Sequence, residues 1–170
     1  RSGHVTGVQT CALPIWMEED DPKMEKAIKN AIKNNILVVC AAGNEGDGNA
    51  DIFEYSYPAS YVDVISVGAV DKKGVPAEFS NSNLVVDLVA PGVDVISTYP
   101  NNQFASLSGT SMAAPHVSGS LALLKNWSRE EFQRDLTQEE IYAQLIKYTK
   151  NLGYPRTVRG NGLVYLKERK

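Results

Sequence analysis

Ser111 has the sequence surroundings of a nucleophile. It lies in the string GTSMAAPHVSG (residues 109–119), whose small side chains recur at helical spacing after the serine. At a helix N-terminus, unpaired N–H groups and the helix dipole favour negative charge, which suits an oxygen that must become nucleophilic and then hold an acyl group. The string therefore predicts a nucleophilic serine at the start of a closely packed helix. The alternative is a serine that only caps a buried helix.

Asn44 is the candidate for a second group of the same site. Acyl transfer needs a nucleophile, a base, a residue that orients the base, and donors for the tetrahedral oxyanion. Asn44 lies in the glycine-rich stretch GNEGDG (residues 43–48), directly after an apolar run, and open α/β sheets bind ligands at the ends of such strands. Its side-chain amide and the N–H of Ser111 are candidate oxyanion donors, although asparagines in such stretches more often form plain turns.

The hydrophobic pattern predicts an α/β domain that positions these groups. Asp21 and Pro22 begin an amphipathic helix, and residues 36–42 form an apolar run typical of a central parallel strand. Thr137 and Glu140 form a capping box before another amphipathic helix. Further strands are predicted at residues 62–70, 84–90, 93–98 and 163–166, with a hairpin near residues 99–102 and a helix from Ser111 to about Lys125.

Composition limits the classes of partner. The chain has 170 residues, of which 43% are hydrophobic and 22% charged, enough for one globular domain with a core. Its net charge of −3 and its scattered basic residues do not indicate a nucleic-acid partner. No apolar run approaches the roughly 18–20 residues that cross a bilayer, so no membrane segment is predicted.

We interpret residues 1–16 as derived from a sequencing adapter and not from the natural protein. They show neither clear periodicity nor turn signals, and residues 5–15 resemble the codon-by-codon translation of a common adapter strand. The alternative is a native edge strand and loop. If Cys11 is excluded with this stretch, only Cys40 remains, so no disulfide framework is predicted. Cys40 is then expected to be a small buried side chain, which is mildly consistent with a reducing compartment.

Several segments together resemble the subtilisin-like serine proteases. Residues 109–119 resemble the family's active-serine motif, and AAGNEG (residues 41–46) resembles the segment that carries its oxyanion asparagine. Residues 57–71, 79–81 and 89–92 resemble further landmarks in the same order. The resemblance extends from residue 17 to about residue 166 and is closest to the intracellular subtilisins of bacilli. It implies a three-layer α/β fold with a mostly parallel sheet whose N-terminal part is missing, residues 17–170 being the C-terminal part of a peptidase domain.

The resemblance also implies an activity and a set of site residues. The activity is that of a serine endopeptidase that cleaves polypeptides through an acyl-enzyme on Ser111, with Asn44 as an oxyanion donor. The substrate-binding residues that it implies are Ala41, Ala42, Gly43, Ser56, Gly109 and Thr110. No cofactor is implied for the chemistry and no metal ligand is assigned, but the family binds calcium or sodium, in some members through backbone carbonyls near Ala59, Tyr61 and Val64. Cytoplasmic protein turnover and a homodimer of the full-length protein are further implications.

Two triad members have no counterpart in the sequence. The family orders its triad Asp, His, Ser, so a segment that begins late keeps only the serine. His116 follows Ser111 by five positions on the same predicted helix and faces away from the hydroxyl, while His4 lies in the adapter-like stretch. Residues 16–20 also depart from the strand that forms one wall of the family's substrate cleft. We therefore expect this chain alone to be inactive, poorly soluble and only partly ordered.

Two other functions stay open at this point. Residues 109–113 are close to the nucleophile elbow of an α/β-hydrolase esterase, but that fold places its histidine well after the serine. It also needs a buried parallel strand where residues 103–108 are polar. A binding module with a relic site is the second alternative, and it would be favoured if the complete gene also lacked the aspartate and histidine motifs.

Overall fold

A six-stranded, mostly parallel sheet forms the centre of the chain in a computed structural model that describes residues 9–13 and 17–167. In chain order the elements are β1 (Gln9–Leu13), α1 (Pro22–Lys33), β2 (Ile36–Ala41), β3 (Val64–Val70), β4 (Leu88–Pro91), β5 (Val95–Tyr99), β6 (Gln103–Leu107), α2 (Thr110–Phe132), α3 (Gln138–Lys147), β7 (Thr149–Lys150), α4 (Arg156–Arg159) and β8 (Leu163–Val164). The strand order is β1-β2-β3-β4-β8-β7, and only the β7–β8 pair is antiparallel within it. β5 and β6 form a separate antiparallel hairpin.

Helices cover both faces of the six-stranded sheet, which gives three layers. Successive residues of a strand point to opposite faces. Leu37 and Val39 of β2 accordingly join a buried cluster with α2 and α3, while Val38 and Cys40 join a second cluster with Ile28 of α1. This arrangement confirms the predicted three-layer α/β fold with a mostly parallel sheet, and Cys40 is fully buried as expected. None of the helices in residues 9–13 and 17–167 is long and apolar enough to cross a membrane.

Local sequence accounts for the elements that were predicted best. Asp21 is the N-cap of α1 and accepts a hydrogen bond from the Lys23 N–H, and Pro22 occupies the first helical position. At α3, Thr137 and Glu140 form the predicted capping box, in which each side chain accepts from the other residue's backbone N–H. Both helix starts are confirmed because the signals that fix them are local in sequence.

Three predicted strand boundaries are wrong. Residues 84–90 form a strand only from Leu88, because the Val85 N–H turns back to the Asn83 Oδ1 at 2.9 Å. Residues 93–98 contribute β5, which pairs with β6 outside the main sheet. The terminal strand is limited to Leu163–Val164. In each case the sequence pattern reports apolar character but not whether a neighbouring strand is available for pairing.

The helix after Ser111 is longer than predicted. It continues past Lys125 to Phe132, with Leu124 and Ser128 still buried, and it ends at Gln133 in the left-handed conformation at a φ of 53°. The extra turns follow from continued packing, since no glycine or proline interrupts the sequence there. The four-residue helix α4 was not predicted.

The N-terminal strand β1 occupies one edge of the main sheet. It runs parallel to β2, from Gln9 opposite Ile36 to Leu13 opposite Cys40. Residues 1–8 and 14–16, which include His4, lie outside the described residues. Parallel pairing uses backbone groups that every residue except proline provides, so it does not identify the origin of the sequence that forms the strand. The adapter origin of residues 1–16 stays a prediction, as does its alternative.

Candidate active site

Asn44 and the start of α2 are joined by direct hydrogen bonds. The Thr110 N–H donates to the Asn44 Oδ1 at 2.9 Å, and the Thr110 hydroxyl donates to the same oxygen at 2.9 Å. Only the oxygen of an amide can accept from an N–H, so these contacts fix the orientation of the Asn44 side chain. Its Nδ2, the group that would donate to an oxyanion, takes no part in either bond.

Ser111 follows Thr110 directly and is the second residue of α2. Consecutive Cα atoms are about 3.8 Å apart, so the bond between Thr110 and Asn44 brings the Asn44 side chain within one residue of the serine. Ser111 is partly exposed, whereas Thr110 is fully buried. The two residues that the sequence singled out for chemistry are therefore neighbours at the end of β2, although 66 positions separate Asn44 from Thr110 in the chain.

A polar network centred on the buried Asn81 and Ser56 holds the loop on which Asn44 lies. Asn81 is 1% exposed, and its Nδ2 donates to the Glu45 Oε2 at 2.8 Å and to the Ser56 Oγ at 2.9 Å. Its Oδ1 accepts from the Glu45 N–H at 2.7 Å, and its own N–H donates to the Gly43 carbonyl at 3.2 Å. The Ser56 hydroxyl donates to the Glu45 Oε2 at 3.0 Å. Every polar atom of the Asn81 side chain is thus satisfied within the loop's own support.

Gly43 is the tightest point of this loop. Its φ of +114° is a conformation that residues with a side chain rarely adopt. A Cβ at this position would lie 2.2 Å from the Asn81 Nδ2 and 2.5 Å from the Ser56 Oγ. The glycine is therefore required both by the backbone conformation and by the network that packs against it.

The predicted substrate-binding residues lie around the same loop, and all six are buried. They are Ala41, Ala42, Gly43, Ser56, Gly109 and Thr110. The Gly43 carbonyl accepts from Asn81, and its N–H lies 3.3 Å from the Thr110 hydroxyl, so the backbone bonds of Gly43 shape the loop. The Gly109 N–H donates to the Gly92 carbonyl at 2.8 Å, which ties the start of α2 to the end of β4. Substrate contact by this set stays a prediction.

Sequence reasoning gave no role to Asn81 or Glu45. Asn81 lies in residues 79–81, which were noted as a landmark of the resemblance only. Its bonds to Glu45 span 36 positions, so no local pattern indicates them. One signal was available in the sequence: residues 80–83 are all polar, and they precede the predicted strand at residues 84–90.

The described residues contain one histidine, His116, which follows Ser111 by five positions on α2. The His116 side chain is exposed, and its Nδ1 lies 2.9 Å from the Met112 carbonyl oxygen of the preceding turn. This contact holds the ring along α2 itself. Residues 9–13 and 17–167 contain no histidine besides His116.

Metal ligands are not assembled from side chains in the part of the chain that the structure describes. No group of three or more His, Cys, Asp or Glu residues lies close enough together there to hold an ion. Of the three carbonyls named for calcium or sodium, that of Tyr61 accepts from the Val64 N–H at 3.4 Å. The ion stays a prediction.

A cavity of about 400 Å³ lies at the opposite end of the strands from Asn44. Asp87 and Tyr142 line it, and the Tyr142 hydroxyl donates to the Asp87 Oδ1 at 2.5 Å. Burial raises the pKa of Asp87 even though the bonds from Tyr142 and the Ser66 N–H favour its ionised form. The cavity is thus separate from the serine. Beside it, the bond between Tyr142 and Asp87 connects α3 to the residue before β4.

The site belongs to a recognisable class. A mostly parallel α/β sheet carries a serine at a helix N-terminus beside an asparagine amide from a strand-end loop, which is an arrangement suited to acyl transfer. The esterase alternative is wrong, because β6, which leads to Ser111, is an exposed strand of an antiparallel hairpin where a nucleophile elbow needs a buried parallel strand.

Comparison with known proteins identifies the family. Residues 16–163 match the subtilase family, peptidase S8, and the chain belongs to that family. It is 54% identical over 159 residues to the major intracellular serine protease of Bacillus subtilis (strain 168), covering 94% of this chain and 50% of the relative. It is 55% identical over 159 residues to the intracellular serine protease of Paenibacillus polymyxa, covering 94% of this chain and 49% of that relative.

A more distant relative extends the comparison. The chain is 40% identical over 134 residues to subtilisin Savinase of Lederbergia lenta, covering 76% of this chain and 48% of the relative. The chain thus spans about half the length of the curated relatives it matches. The higher identity to the two intracellular proteases confirms the predicted resemblance to the intracellular subtilisins.

Proposed function

We propose that this chain is the part of a serine endopeptidase that carries the nucleophile Ser111 and the oxyanion donor Asn44. The observation that carries the proposal is the 2.9 Å bond from the Thr110 N–H to the Asn44 Oδ1, because it leaves the Asn44 Nδ2 to donate beside the serine. Membership of the subtilase family and the serine protease names of the relatives support it.

The proposed reaction has two halves. The Ser111 Oγ forms a bond to the carbonyl carbon of a peptide and passes its proton to a base, while the Asn44 Nδ2 and the Ser111 N–H donate to the carbonyl oxygen as it becomes negative. The carbon–nitrogen bond then breaks, and the base returns the proton to the leaving amine. Water next attacks the acyl-enzyme by the same route and releases the second product with a free serine.

The base and its orienting carboxylate are proposed to come from sequence outside this chain. The one histidine among the described residues is His116, whose Nδ1 is engaged at the Met112 carbonyl. Without a base, a serine loses several orders of magnitude in rate. The chain alone is therefore expected to be inactive, and the activity is attributed to the parent protein, by which we mean the product of the complete open reading frame.

The test compares the parent protein, the parent with Ser111→Ala and this 170-residue chain on a chromogenic peptide. We expect hydrolysis only by the parent with Ser111 intact. Asn44→Ala in the parent should lower kcat by about 10²–10³-fold, the effect that loss of the oxyanion asparagine has in a subtilisin. Ser120→Ala, on the same helix, is the matched control and should keep full activity.

Three outcomes would contradict the proposal. Hydrolysis by the parent that survives Ser111→Ala would remove the serine from the mechanism. Unchanged kcat in Asn44→Ala would remove the oxyanion donor. Serine-dependent hydrolysis by the 170-residue chain alone would show that the base lies within it. A parent without aspartate and histidine motifs and without activity would instead favour the binding module.

The substrate class, cellular setting, bound ion and assembly state are proposed from the family resemblance. Polypeptides are the proposed substrates, and protein turnover in the cytoplasm is the proposed setting, which the intracellular names of two relatives support. No cofactor is proposed for the chemistry. A structural calcium or sodium ion and a homodimer of the parent are testable by metal analysis and by sedimentation of the purified protein.

A further inference from the structure

We infer that Asn81 is a positioning residue of the active site, which holds Asn44 in the orientation needed to donate to an oxyanion. The inference rests on the proposed function, and it adds a residue for which neither the sequence pattern nor the family comparison supplied a role. Asn81 does not touch the reacting atoms. It acts through the two residues on either side of Asn44.

Asn81 brackets Asn44 with backbone bonds. On one side its N–H donates to the Gly43 carbonyl at 3.2 Å, and on the other its Oδ1 accepts from the Glu45 N–H at 2.7 Å. Residues 43 and 45 are thereby fixed to the same support, and the backbone of Asn44 between them has little freedom. Since the side chain of Asn44 is held separately by Thr110, the residue is fixed at both its backbone and its amide oxygen.

The Glu45 carboxylate forms a second connection between Asn81 and Asn44. One oxygen, Oε2, accepts from the Asn81 Nδ2 at 2.8 Å, from the Ser56 hydroxyl at 3.0 Å and from the Asn44 N–H at 3.1 Å. Asn81 and Ser56 therefore orient the oxygen that binds the backbone of Asn44. Asn81 is almost completely buried, so its own polar atoms depend on these protein partners, whereas the Glu45 residue at the other end of the bond is exposed.

This arrangement matters for catalysis because an oxyanion donor is effective only when it is held in place before the charge develops. A loop that has to be ordered during the reaction loses that advantage. The loss appears in kcat and much less in KM, since the donor acts on the transition state more than on the bound peptide.

The experiment uses three variants of the parent protein. Asn81→Asp keeps the acceptor for the Glu45 N–H but places a second carboxylate oxygen where the Asn81 Nδ2 lies 2.8 Å from the Glu45 Oε2. Asn81→Ala removes all three side-chain bonds. Asn83→Ala is the matched control, because Asn83 is also an asparagine that is 2% exposed, and its side chain bonds to the Glu54 carbonyl and the Val85 N–H instead of to residues 43–46.

We expect Asn81→Asp to lower kcat by about 10–10²-fold with a much smaller change in KM, on the scale of a misplaced oxyanion donor. Two carboxylates at this distance share a proton as the pH falls. The ratio of variant to wild-type kcat should therefore rise towards acid pH. Asn83→Ala should lose thermal stability but keep kcat in the fraction that stays folded.

A rescue separates positioning from general stability. Glu45→Gln in the Asn81→Asp background removes one of the two facing carboxylates and lets the amide donate to the other, but an amide nitrogen at this place no longer accepts from the Asn44 N–H. We expect kcat of the double variant to exceed that of Asn81→Asp and to stay below that of the wild type. Equal kcat in the two would contradict the role of this bond.

Hydrogen exchange gives a readout that does not need turnover. In Asn81→Ala the Glu45 N–H loses its acceptor, so backbone amides of residues 44–46 should exchange faster, while Asn83→Ala should leave them unchanged. If exchange is faster in Asn81→Ala but the wild-type parent is inactive, the proposed function is refuted, while the conclusion that Asn81 holds the loop stands. Unchanged exchange and unchanged kcat in Asn81→Ala would overturn the inference even if the parent is an active peptidase.

Discussion

Two polar joints connect helices to the sheet, and they differ in chemistry. The front joint consists of Gly43, Asn44 and Thr110, and it ties the start of α2 to the end of β2 through hydroxyl, amide and backbone groups. The rear joint consists of Ser66, Asp87 and Tyr142, and it ties α3 to β3 and to the residue before β4. The three residues of the front joint have no ionisable side chain, and the carboxylate of the neighbouring Glu45 bonds within this joint to the Asn44 backbone only. The rear joint itself is built on a carboxylate and a phenol.

Each joint is sensitive to a different kind of perturbation. The neutral hydrogen bonds between Thr110 and Asn44 keep their geometry over a wide range of pH, which suits a side chain that must donate to an oxyanion during proton transfers at the serine. In the rear joint, burial raises the pKa of Asp87, and burial together with the bond to Asp87 raises the pKa of Tyr142. Sterics and lost bonds should therefore break the front joint, while pH should perturb the rear joint.

Gly43→Ala should cause the largest effect. The new Cβ would meet the Asn81 Nδ2 at 2.2 Å, and the φ of +114° would strain any residue with a side chain. Overpacking and backbone strain together should lower the free energy of unfolding by at least about 3 kcal/mol. Urea unfolding of the parent protein measures this loss, and peptide hydrolysis should disappear with it.

Gly119→Ala is the control for this substitution. Gly119 lies within α2, and a Cβ there would meet nothing within 4 Å. Alanine should stabilise the helix by about 0.5–1 kcal/mol. A similar loss of stability at both glycines, or none at Gly43, would show that the loop is not packed as tightly as described.

Thr110→Val should cause an intermediate effect at the front joint. The substitution keeps the shape of the side chain but removes the hydroxyl that bonds to the Asn44 Oδ1 at 2.9 Å and lies 3.3 Å from the N–H and carbonyl of Gly43. Because Thr110 is fully buried, the Gly43 N–H loses its acceptor, while the Asn44 Oδ1 and the Gly43 carbonyl each keep one donor. The unsatisfied N–H should cost about 1–3 kcal/mol in unfolding free energy. Thr110→Ser retains the hydroxyl and should recover most of that loss. Equal stability of the valine and serine variants would assign the joint to packing alone.

The two joints also show what the sequence could and could not predict. Ser111 and Asn44 were predicted because each lies in a local string with a recognisable chemical setting, and α1 and α3 were predicted from their caps. Asn81 and Asp87 were not assigned roles, since each acts across tens of positions and its neighbours in sequence do not reveal its partners. Long-range polar contacts depend on the packing of the sheet, which the pattern of apolar residues specifies only coarsely.

The pH dependence of stability should reveal the rear joint. Asp87 has a folded-state pKa raised above its ordinary value of 3.8, so between those two values the folded protein holds more protons than the unfolded chain. The contribution of this group to stability is therefore present at low pH and is lost as the pH rises through the folded pKa. Other carboxylates add their own slopes, so the comparison must be made between variants.

Tyr142→Phe isolates this contribution and should have the smallest effect. Removing the hydroxyl takes away a bond that favours the charged form of Asp87, so the folded pKa rises further and stability falls more steeply towards neutral pH. The cost should be about 1 kcal/mol at neutral pH and less in acid, where Asp87 is protonated. Urea unfolding of both proteins between roughly pH 4 and pH 8 measures the difference. A difference that is constant with pH, or as large as that of Thr110→Val at the front joint, would contradict the contrast between the joints, because only an ionising partner makes the loss of a neutral hydroxyl depend on pH.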